Sequence, residues 1–467
     1  MSAAIRSRFM VLALLAAVSC SGALAQGEAA VGEPEPAYPS YVQLGPRGEP
    51  VLTPDTAARL VVERNIDLAI SAEGIGQAQG RLEQARAADR LTAQLQATLL
   101  RMGPVVSFTL PGSEDGESVE FGSSHSETLT FSASRPIYTG GRAALGRSLA
   151  REGVTSAELS LDSVRRALLL ASQEGSYAIL RLKQLAAVAA SRATAVAEHL
   201  RLSEAMEQAG VVAHFEVVQA QTELSKAQGD LISAETGVEQ AKAALRNLVD
   251  FPQGTEMDVV DGPPPAEPEG GLDELVEMAW QHRPEARLVE TGVTLARMNL
   301  QLARASLKPS AALTGGFTVQ GAASTLQSHE SWQFGVGVQK PLFDGGARSG
   351  KVAEALAALR SAELQVDKTR ESIALDVAQQ MLAVAEAKEQ SSVAQQGVIE
   401  ARERRRMSQI RYREGITAGV EVIDADTALA AAEAAQVNAQ YDLQLAIVRL
   451  QAALGLIEVH EQEGERQ

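Results

Sequence analysis

Two long stretches without proline constrain this chain more than any other feature. The first runs from Arg142 to Gln208 and the second from Arg348 to Arg413, and both consist mainly of good helix formers. A helix of roughly 67 residues is about 100 Å long, since each residue adds about 1.5 Å. Because a globular domain cannot enclose such a helix, the two stretches predict a coiled coil or a barrel of helices.

The two stretches belong to two copies of one unit. Segment 135–141, with the sequence RPIYTGG, matches segment 340–346, with the sequence KPLFDGG, at an offset of 205 positions. The same offset places Leu245 on Leu450, so the register holds to the end of each half. Such a repeat predicts one structural unit built twice. The turns from strand to helix are assigned to Pro136, Gly140, Gly141, Pro341, Gly345 and Gly346.

Each half also contains two segments in which apolar and polar residues alternate. A period of two predicts β-strands at 92–101, 127–136, 310–320 and 331–340. Such strands fit either a half-buried soluble hairpin or a membrane strand between lipid and water. The long helices favour the membrane strand. Four strands cannot close a barrel and an open edge is not tolerated in lipid, so we expect oligomerisation; three copies would supply twelve strands.

The duplication divides the mature chain into two repeats. We expect the first repeat at 51–250 and the second at 272–456. Outside them lie an extended N-terminal segment, 26–50, and a C-terminal tail, 457–467. The predicted helices are the long helices 142–208 and 348–413 and the return helices 215–248 and 420–454.

Two further segments are predicted to be surface connections. Segment 251–271 contains Gly262 followed by three prolines, which indicates a linker rather than a part of the core. The first half carries about 13 more residues between its strands than the second, within Gly103–Ser126. That segment is rich in Gly, Ser, Asp and Glu, which predicts an exposed loop.

The N-terminus has the pattern of an export signal. Two arginines precede an apolar run from Phe9 to Val18, and small residues ending at Ala25 follow. This pattern predicts a signal peptide, 1–25. Cys20, the only cysteine, offers an alternative, because its lipidation would anchor the mature N-terminus. In either case the mature chain has no intramolecular disulfide and depends on packing or oligomerisation for stability.

Charge and composition exclude several classes of function. The formal net charge is −17, and it becomes −19 when the signal peptide and its two arginines are removed. Phosphate binding needs basic patches, so nucleic acid is not an expected partner. The six histidines lack metal-site spacing, and the glycine-rich segments 141–148 and 345–351 lack the phosphate-loop pattern. We expect no cofactor, no metal and no enzymatic activity.

The most specific motif follows the second long stretch. Residues 411–415 (RYREG) are followed at 420–425 by VEVIDA. Together with the paired turns and the duplicated strand–helix order, from about Leu52 to Leu456, they resemble the TolC-like outer-membrane efflux family. The resemblance implies a mainly α-helical fold with a membrane β-barrel portion. It implies a trimeric, twelve-stranded barrel continued by a twelve-helix periplasmic α-barrel.

The resemblance also implies a function and partners. The chain would be the outer-membrane duct of a tripartite efflux or type I secretion system in a Gram-negative bacterium, with a periplasmic extension. Its partners would be two further copies of itself, outer-membrane lipid, a periplasmic adaptor and an inner-membrane pump. The alternative is a periplasmic coiled-coil structural or adaptor protein, which would explain the helices but not the four alternating strands.

In that family, acidic residues after the second tip loop form the constriction at the periplasmic end. The matching positions are Glu421 and Asp424. Their spacing places both carboxylates on one helix face, and a threefold axis would gather them into a ring that favours cations. The alternative is a solvated helix start, since acids suit the first turn of a helix.

Tyr412 matches a tyrosine that in the family helps to hold the closed state. Arg411 and Arg413 flank it, and across an antiparallel hairpin either arginine could pair with Glu421 or Asp424. These three residues are the expected gate lock; the alternative is that the arginines belong to a solvated helix face.

The tip loops are short and partly apolar, and in the family these knobs meet the adaptor. The family has a basic residue in the second tip loop, where this chain has Thr417. The docking residues that the resemblance assigns are Gly210, Val211, Gly415, Ile416 and Thr417.

Overall fold

The structure is a computed structural model that describes residues 38–39, 41–101, 103, 106–109, 118–121, 125–322 and 328–457. The helices are α1 Pro54–Arg64, α2 Ile66–Ala87, α3 Arg142–Gln208, α4 His214–Leu248, α5 Leu272–His282, α6 Pro284–Ala305, α7 Ala347–Arg413 and α8 Gly419–Ala453. The predicted signal peptide with Cys20, most of segment 26–50 and all of the tail except Ile457 lie outside the described residues.

Four of these helices form two hairpins of matching length. Helices α3 and α7 have 67 residues each, and α4 and α8 have 35 each. The return helices begin one residue earlier than the sequence indicates, at His214 and Gly419. Among the described residues, no helix combines the length and the apolar character needed to cross a membrane.

Each repeat also has a pair of shorter helices that is interrupted at an equivalent residue. Asn65 separates α1 from α2, and Arg283 separates α5 from α6; both have extended backbones. The side-chain amide of Asn65 donates to the backbone carbonyl of Leu248 at 2.9 Å. The guanidinium of Arg283 donates to the backbone carbonyl of Ala453 at 3.3 Å. Both acceptors lie at the end of a return helix, where carbonyls lack a partner within the helix. The same tether is therefore made twice with different side chains.

One antiparallel sheet joins strands from both repeats. Its strands are β3 Thr92–Arg101, β6 His125–Tyr138, β8 Ser310–Ala322 and β9 Ser328–Gln339. They lie side by side in the order β3-β6-β8-β9. Strand β6 continues past the predicted end at 136, and a bulge between Pro136 and Tyr138 accommodates the proline. The outer strands, β3 and β9, each pair on one side only within the described residues.

The register of this sheet separates an apolar face from a polar face. On one face, a row across all four strands consists of Leu95, Phe131, Phe317 and Trp332. On the opposite face, the adjacent row consists of Gln96, Thr130, Thr318 and Ser331. The apolar face is open: Trp332 is 80% exposed in the single chain. A continuous apolar face on a protein surface indicates contact with lipid or another protein.

The segment Gly103–Ser126 is not simply the exposed loop that its composition predicts. Strands β4 Val106–Thr109 and β5 Ser118–Phe121 pair in antiparallel register within it. Alternation of apolar and polar residues in these two short runs favours strand pairing despite the many Gly, Ser and acidic residues around them.

The prediction that 251–271 is a linker outside the core is wrong for its first half. Phe251, Met257 and Val259 are buried in a core cluster. Strand β7 Asp258–Val259 pairs in parallel with β2 Pro50–Leu52, which pairs on its other side with β1 Gln43–Leu44. Lys183 fixes the segment, since its ammonium donates to both Asp258 oxygens at 2.9 Å. The second half has the predicted proline-rich, irregular backbone.

The turns from strand to helix use paired glycines in the left-handed region. Gly140 and Gly345 occupy equivalent positions with φ of 66° and 65°, and the next residue, Gly141 or Gly346, also has positive φ. Only the first turn is crowded, because a Cβ on Gly140 would lie 2.7 Å from the Cβ of Lys308. A Cβ on Gly345 would meet no atom within 4 Å.

We therefore expect Gly140→Ala to destabilise the protein more than Gly345→Ala. Both substitutions place an L-residue in the left-handed region, which costs about 1–2 kcal/mol. At Gly140 the clash adds about 1–3 kcal/mol of overpacking. Thermal unfolding followed by circular dichroism measures the difference, and equal midpoints for the two variants would contradict this account of the crowded turn.

Candidate gate at the helix tips

Both hairpins turn at their tips by the same backbone device. Gly210 and Gly415 have φ of 73° and 67°, and each lies two residues beyond the end of a long helix. The next amide bonds back to the helix: Val211 N to Met206 O at 2.8 Å, and Ile416 N to Arg411 O at 2.9 Å. This glycine cap satisfies carbonyls that a helix end leaves free. The two tip loops are therefore short and equally shaped.

The structure places the predicted gate acids at the start of α8. Glu421 is half-buried and Asp424 is exposed, and both lie on one side of the helix. The Arg411 guanidinium donates to Glu421 at 3.0 Å, which is one of the pairings expected from the sequence. The Thr417 hydroxyl donates to the same carboxylate. Within the described residues, no ion pair involves Asp424 or Arg413.

Tyr412 contacts the first repeat rather than the acids of its own hairpin. Its hydroxyl lies 3.2 Å from the Ser203 hydroxyl on α3 and donates to Glu216 on α4 at 3.4 Å. The side chain is almost fully buried. Burial, together with the nearby Glu216 carboxylate, raises the pKa of the Tyr412 phenol, which therefore stays protonated and able to donate. Tyr412 thus joins the two hairpins.

An ion pair that sequence reasoning missed lies behind the tip. The Arg405 guanidinium donates to Asp426 at 2.5 Å, and the Asp426 side chain is only 4% exposed. Burial raises the pKa of Asp426 although Arg405 acts against it. Asp426 lies on the buried stripe of α8 with Val422, Ala425 and Leu429. The sequence does contain a signal for this pair, because Asp426 is a lone acid on an apolar helical stripe and a buried charge requires a partner.

A buried histidine, also missed, completes the cluster. His199 on α3 is only 7% exposed, and its ring packs on that of Tyr412 with centroids 5.1 Å apart. Burial lowers the pKa of His199, and the Asp426 and Glu216 carboxylates offset this only in part. Its sequence signal is weak, because Val196, His199 and Ser203 form an ordinary helical stripe.

The side chains of this cluster join helices of the two hairpins. No group of three or more metal-ligating side chains occurs among the described residues. The tip has contacts within the second hairpin, through Arg411 and Glu421, and contacts between hairpins, through Tyr412.

Comparison with known proteins identifies the family. Residues 58–249 and 275–456 match the family described as outer membrane efflux protein, and each match lies within one repeat. The chain therefore belongs to the outer membrane efflux protein family. This confirms the resemblance, the transport class and the outer-membrane location inferred from the sequence.

Individual relatives agree in sequence and in fold. Outer membrane protein TolC of Vibrio cholerae is 22% identical over 316 residues, which cover 66% of this chain and 72% of that protein. The fold matches VceC of Vibrio cholerae with a TM-score of 0.70 and 17% identity, over 86% of this chain and 96% of VceC. It matches the CmeC channel of Campylobacter jejuni with a TM-score of 0.72 and 17% identity, over 88% and 87% of the two chains.

The buried pair predicts unequal effects of removing two arginines from the tip. Arg405→Gln leaves the Asp426 charge buried and unpaired. We therefore expect the packing of the tip to lose about 3 kcal/mol of stability. Arg411→Gln removes a pair that is partly exposed on both sides and costs below about 1 kcal/mol. Hydrogen exchange of the first turns of α8 reports both changes.

The double variant Arg405→Gln/Asp426→Asn provides the control. Because it removes both charges, we expect slower exchange than in Arg405→Gln alone. If Arg405→Gln and Arg411→Gln increased exchange equally, the buried pair would not have the structural role described.

Proposed function

We propose that this chain forms a trimeric outer-membrane duct whose inner end is gated by the helix tips. The observation that carries the proposal is the sheet with one apolar face and with two outer strands that, within the described residues, each pair on one side only. In lipid, every backbone hydrogen-bonding group must find a partner, so these strands must meet strands of other copies. Three copies give twelve strands, an even number within the range of outer-membrane barrels.

The distribution of charged and polar residues on the sheet supports a membrane barrel with its apolar face towards lipid. On the apolar face, Arg135 lies near one end, while Glu127 and Glu330 lie near the other. Between them are aromatic and aliphatic rows, as expected for a band in contact with lipid. The opposite face carries Gln, Ser, Thr and Gly along the strands, which suits a water-filled interior.

Helix α7 supports association of several copies independently of the sheet. It packs within the chain through Ile373, Val377 and Val384. On the opposite side of α7, a second set of apolar residues is exposed in the single chain. With a rotation of about 100° per residue, these residues fall within a sector of about 40° around the helix axis. This outer stripe consists of Leu364, Leu375, Leu382, Val393 and Met407. A helix that is apolar on two opposite sides requires a helix on each side, and a second copy provides the outer one.

A charge in the outer stripe is expected to prevent assembly. Leu382→Glu would place a carboxylate in the proposed contact between copies, so native mass spectrometry in detergent should detect a loss of trimer. Ile399→Glu is the matched control, because Ile399 is exposed on the same helix but points about 100° away from the stripe.

The wild-type protein tests the proposal as a whole. We expect SDS-resistant trimers in outer-membrane fractions. A soluble periplasmic monomer would instead favour the coiled-coil alternative. Trimers of Leu382→Glu as stable as those of the wild type would exclude the outer stripe of α7 as a contact between copies.

The proposed gate consists of Glu421 and Asp424, gathered from three chains around the axis. A ring of carboxylates favours cations over anions. Arg411 restrains Glu421 from within the hairpin, and Tyr412 holds the second hairpin against the first. Opening would require the contacts between hairpins to break.

Channel recordings in planar bilayers test the gate. For Glu421→Gln/Asp424→Asn we expect the reversal potential in a salt gradient to move towards zero, because cation selectivity is lost. For Tyr412→Phe/Glu421→Gln we expect a higher single-channel conductance. Glu235→Gln, an exposed acid of α4 far along the chain from the tip loop, should behave as wild type. Unchanged conductance in the Tyr412→Phe/Glu421→Gln variant would contradict the lock.

The partners follow from the exposed tips. Val211 and Ile416 are exposed apolar residues at equivalent positions in the two loops, and Phe215 is exposed beside the first. Apolar side chains at a loop tip favour contact with another protein. We propose that they receive a periplasmic adaptor, which joins the duct to an inner-membrane pump in an efflux or type I secretion system.

A further inference from the structure

All four hairpin helices meet at His199. The imidazole lies on α3, and the Tyr412 ring of α7 packs against it. The first residue of α8, Gly419, touches it so closely that a Cβ there would lie 3.3 Å from His199 Nε2 and 3.1 Å from Glu216 Oε2 on α4. His199 therefore occupies the junction between the first and the second hairpin.

Charged groups surround this ring from every helix packed against it. Glu216 faces it from α4 and Asp426 from α8. Arg405 on α7 and Arg192 on α3 act electrostatically on the Asp426 carboxylate. Within the described residues, neither ring nitrogen of His199 forms a hydrogen bond. Burial without a hydrogen-bond partner favours the neutral ring, because a charged ring would lose its hydration.

We propose that His199 is a positioning residue of the gate, and that its protonation releases the second hairpin from the first, so that acid favours the open tip. The proposal rests on the proposed function, in which the helix tips form the gate. We call the tip packed when the two hairpins are in contact, as they are in this structure. In the packed tip, the neutral ring contacts Tyr412, and α8 begins against it. A proton on His199 would place an imidazolium on a residue that is only 7% exposed, where it would lose most of its hydration.

The direction follows from proton linkage. In the packed tip the pKa of His199 lies below its usual value, whereas in an open tip an exposed ring has its usual pKa of about 6.5. Above that pH neither state binds the proton and the packed tip is fully stable. Below it, the open state takes up the proton first, so the ratio of open to packed tips rises by up to about tenfold per pH unit.

Asp426 and Tyr412 do not produce this response. The pKa of Asp426 is raised by burial, so acid protonates it more readily in the packed tip and favours packing. The pKa of the Tyr412 phenol is also raised, and it stays neutral throughout. Opening on acidification therefore reports His199 rather than these neighbours.

Recordings of the full-length wild-type protein in planar bilayers, from about pH 8 to about pH 5.5, test the proposal. We expect open probability to rise on acidification in wild type and to stay constant in His199→Gln, which cannot be protonated. His214→Gln is the matched control. His214 is an exposed histidine at the same tip, pairs with Glu207 of the first hairpin, and should leave the wild-type response intact.

A second measurement covers the case in which His199→Gln does not pack correctly. Histidine labelled with ¹³C gives six signals by NMR, and the signal missing from His199→Gln belongs to His199. We expect it to titrate below about 6.5. Titration at or above that value overturns the proposal, as does an acid response that persists in His199→Gln or is absent from wild type. If no channel forms at any pH, the proposed function fails, and the titration still decides whether the ring is held neutral.

Discussion

Apolar surface that one copy of the chain cannot cover governs this structure. In the part of the chain that the structure describes, the sheet has an open apolar face and each outer strand pairs on one side only, while α7 carries apolar residues on two opposite sides. Burial of such surface is the dominant favourable contribution to folding and association. In the proposed trimer, other copies pair with the outer strands and cover the outer stripe of α7, and lipid covers the apolar face of the sheet. Assembly and membrane insertion would then both serve to cover this apolar surface.

Much of the fold could be predicted from local pattern. The absence of proline set the extent of α3 and α7, and alternation set the four strands of the sheet to within a few residues. The errors came where local composition opposed distant contacts. Segment 251–271 is rich in proline, yet Val259 is buried because β7 pairs with β2, some 200 positions earlier in the chain. A window of sequence contains no information about such a partner.

The candidate site shows the same limit more sharply. Glu421, Asp424 and Tyr412 were found through the motif around them, and the Arg411–Glu421 pair followed from hairpin geometry. The contact of Tyr412 with Ser203 and Glu216 could not be predicted, because it depends on how the two repeats pack. His199 and Asp426 escaped notice because each is a single polar residue on a buried stripe, and their meaning lies in their neighbours.

The matched lengths of the hairpins have an evolutionary consequence. Helices α3 and α7 have 67 residues each and α4 and α8 have 35 each, with the same glycine cap at both tips. Deleting one turn from α7 alone would draw Ile416 back from the level of Val211 by about 5 Å and shift Tyr412 away from Ser203. Insertions and deletions in these helices should therefore survive only as coordinated sets in both repeats, so the length of the hairpins would change in discrete steps while the sequence drifts freely.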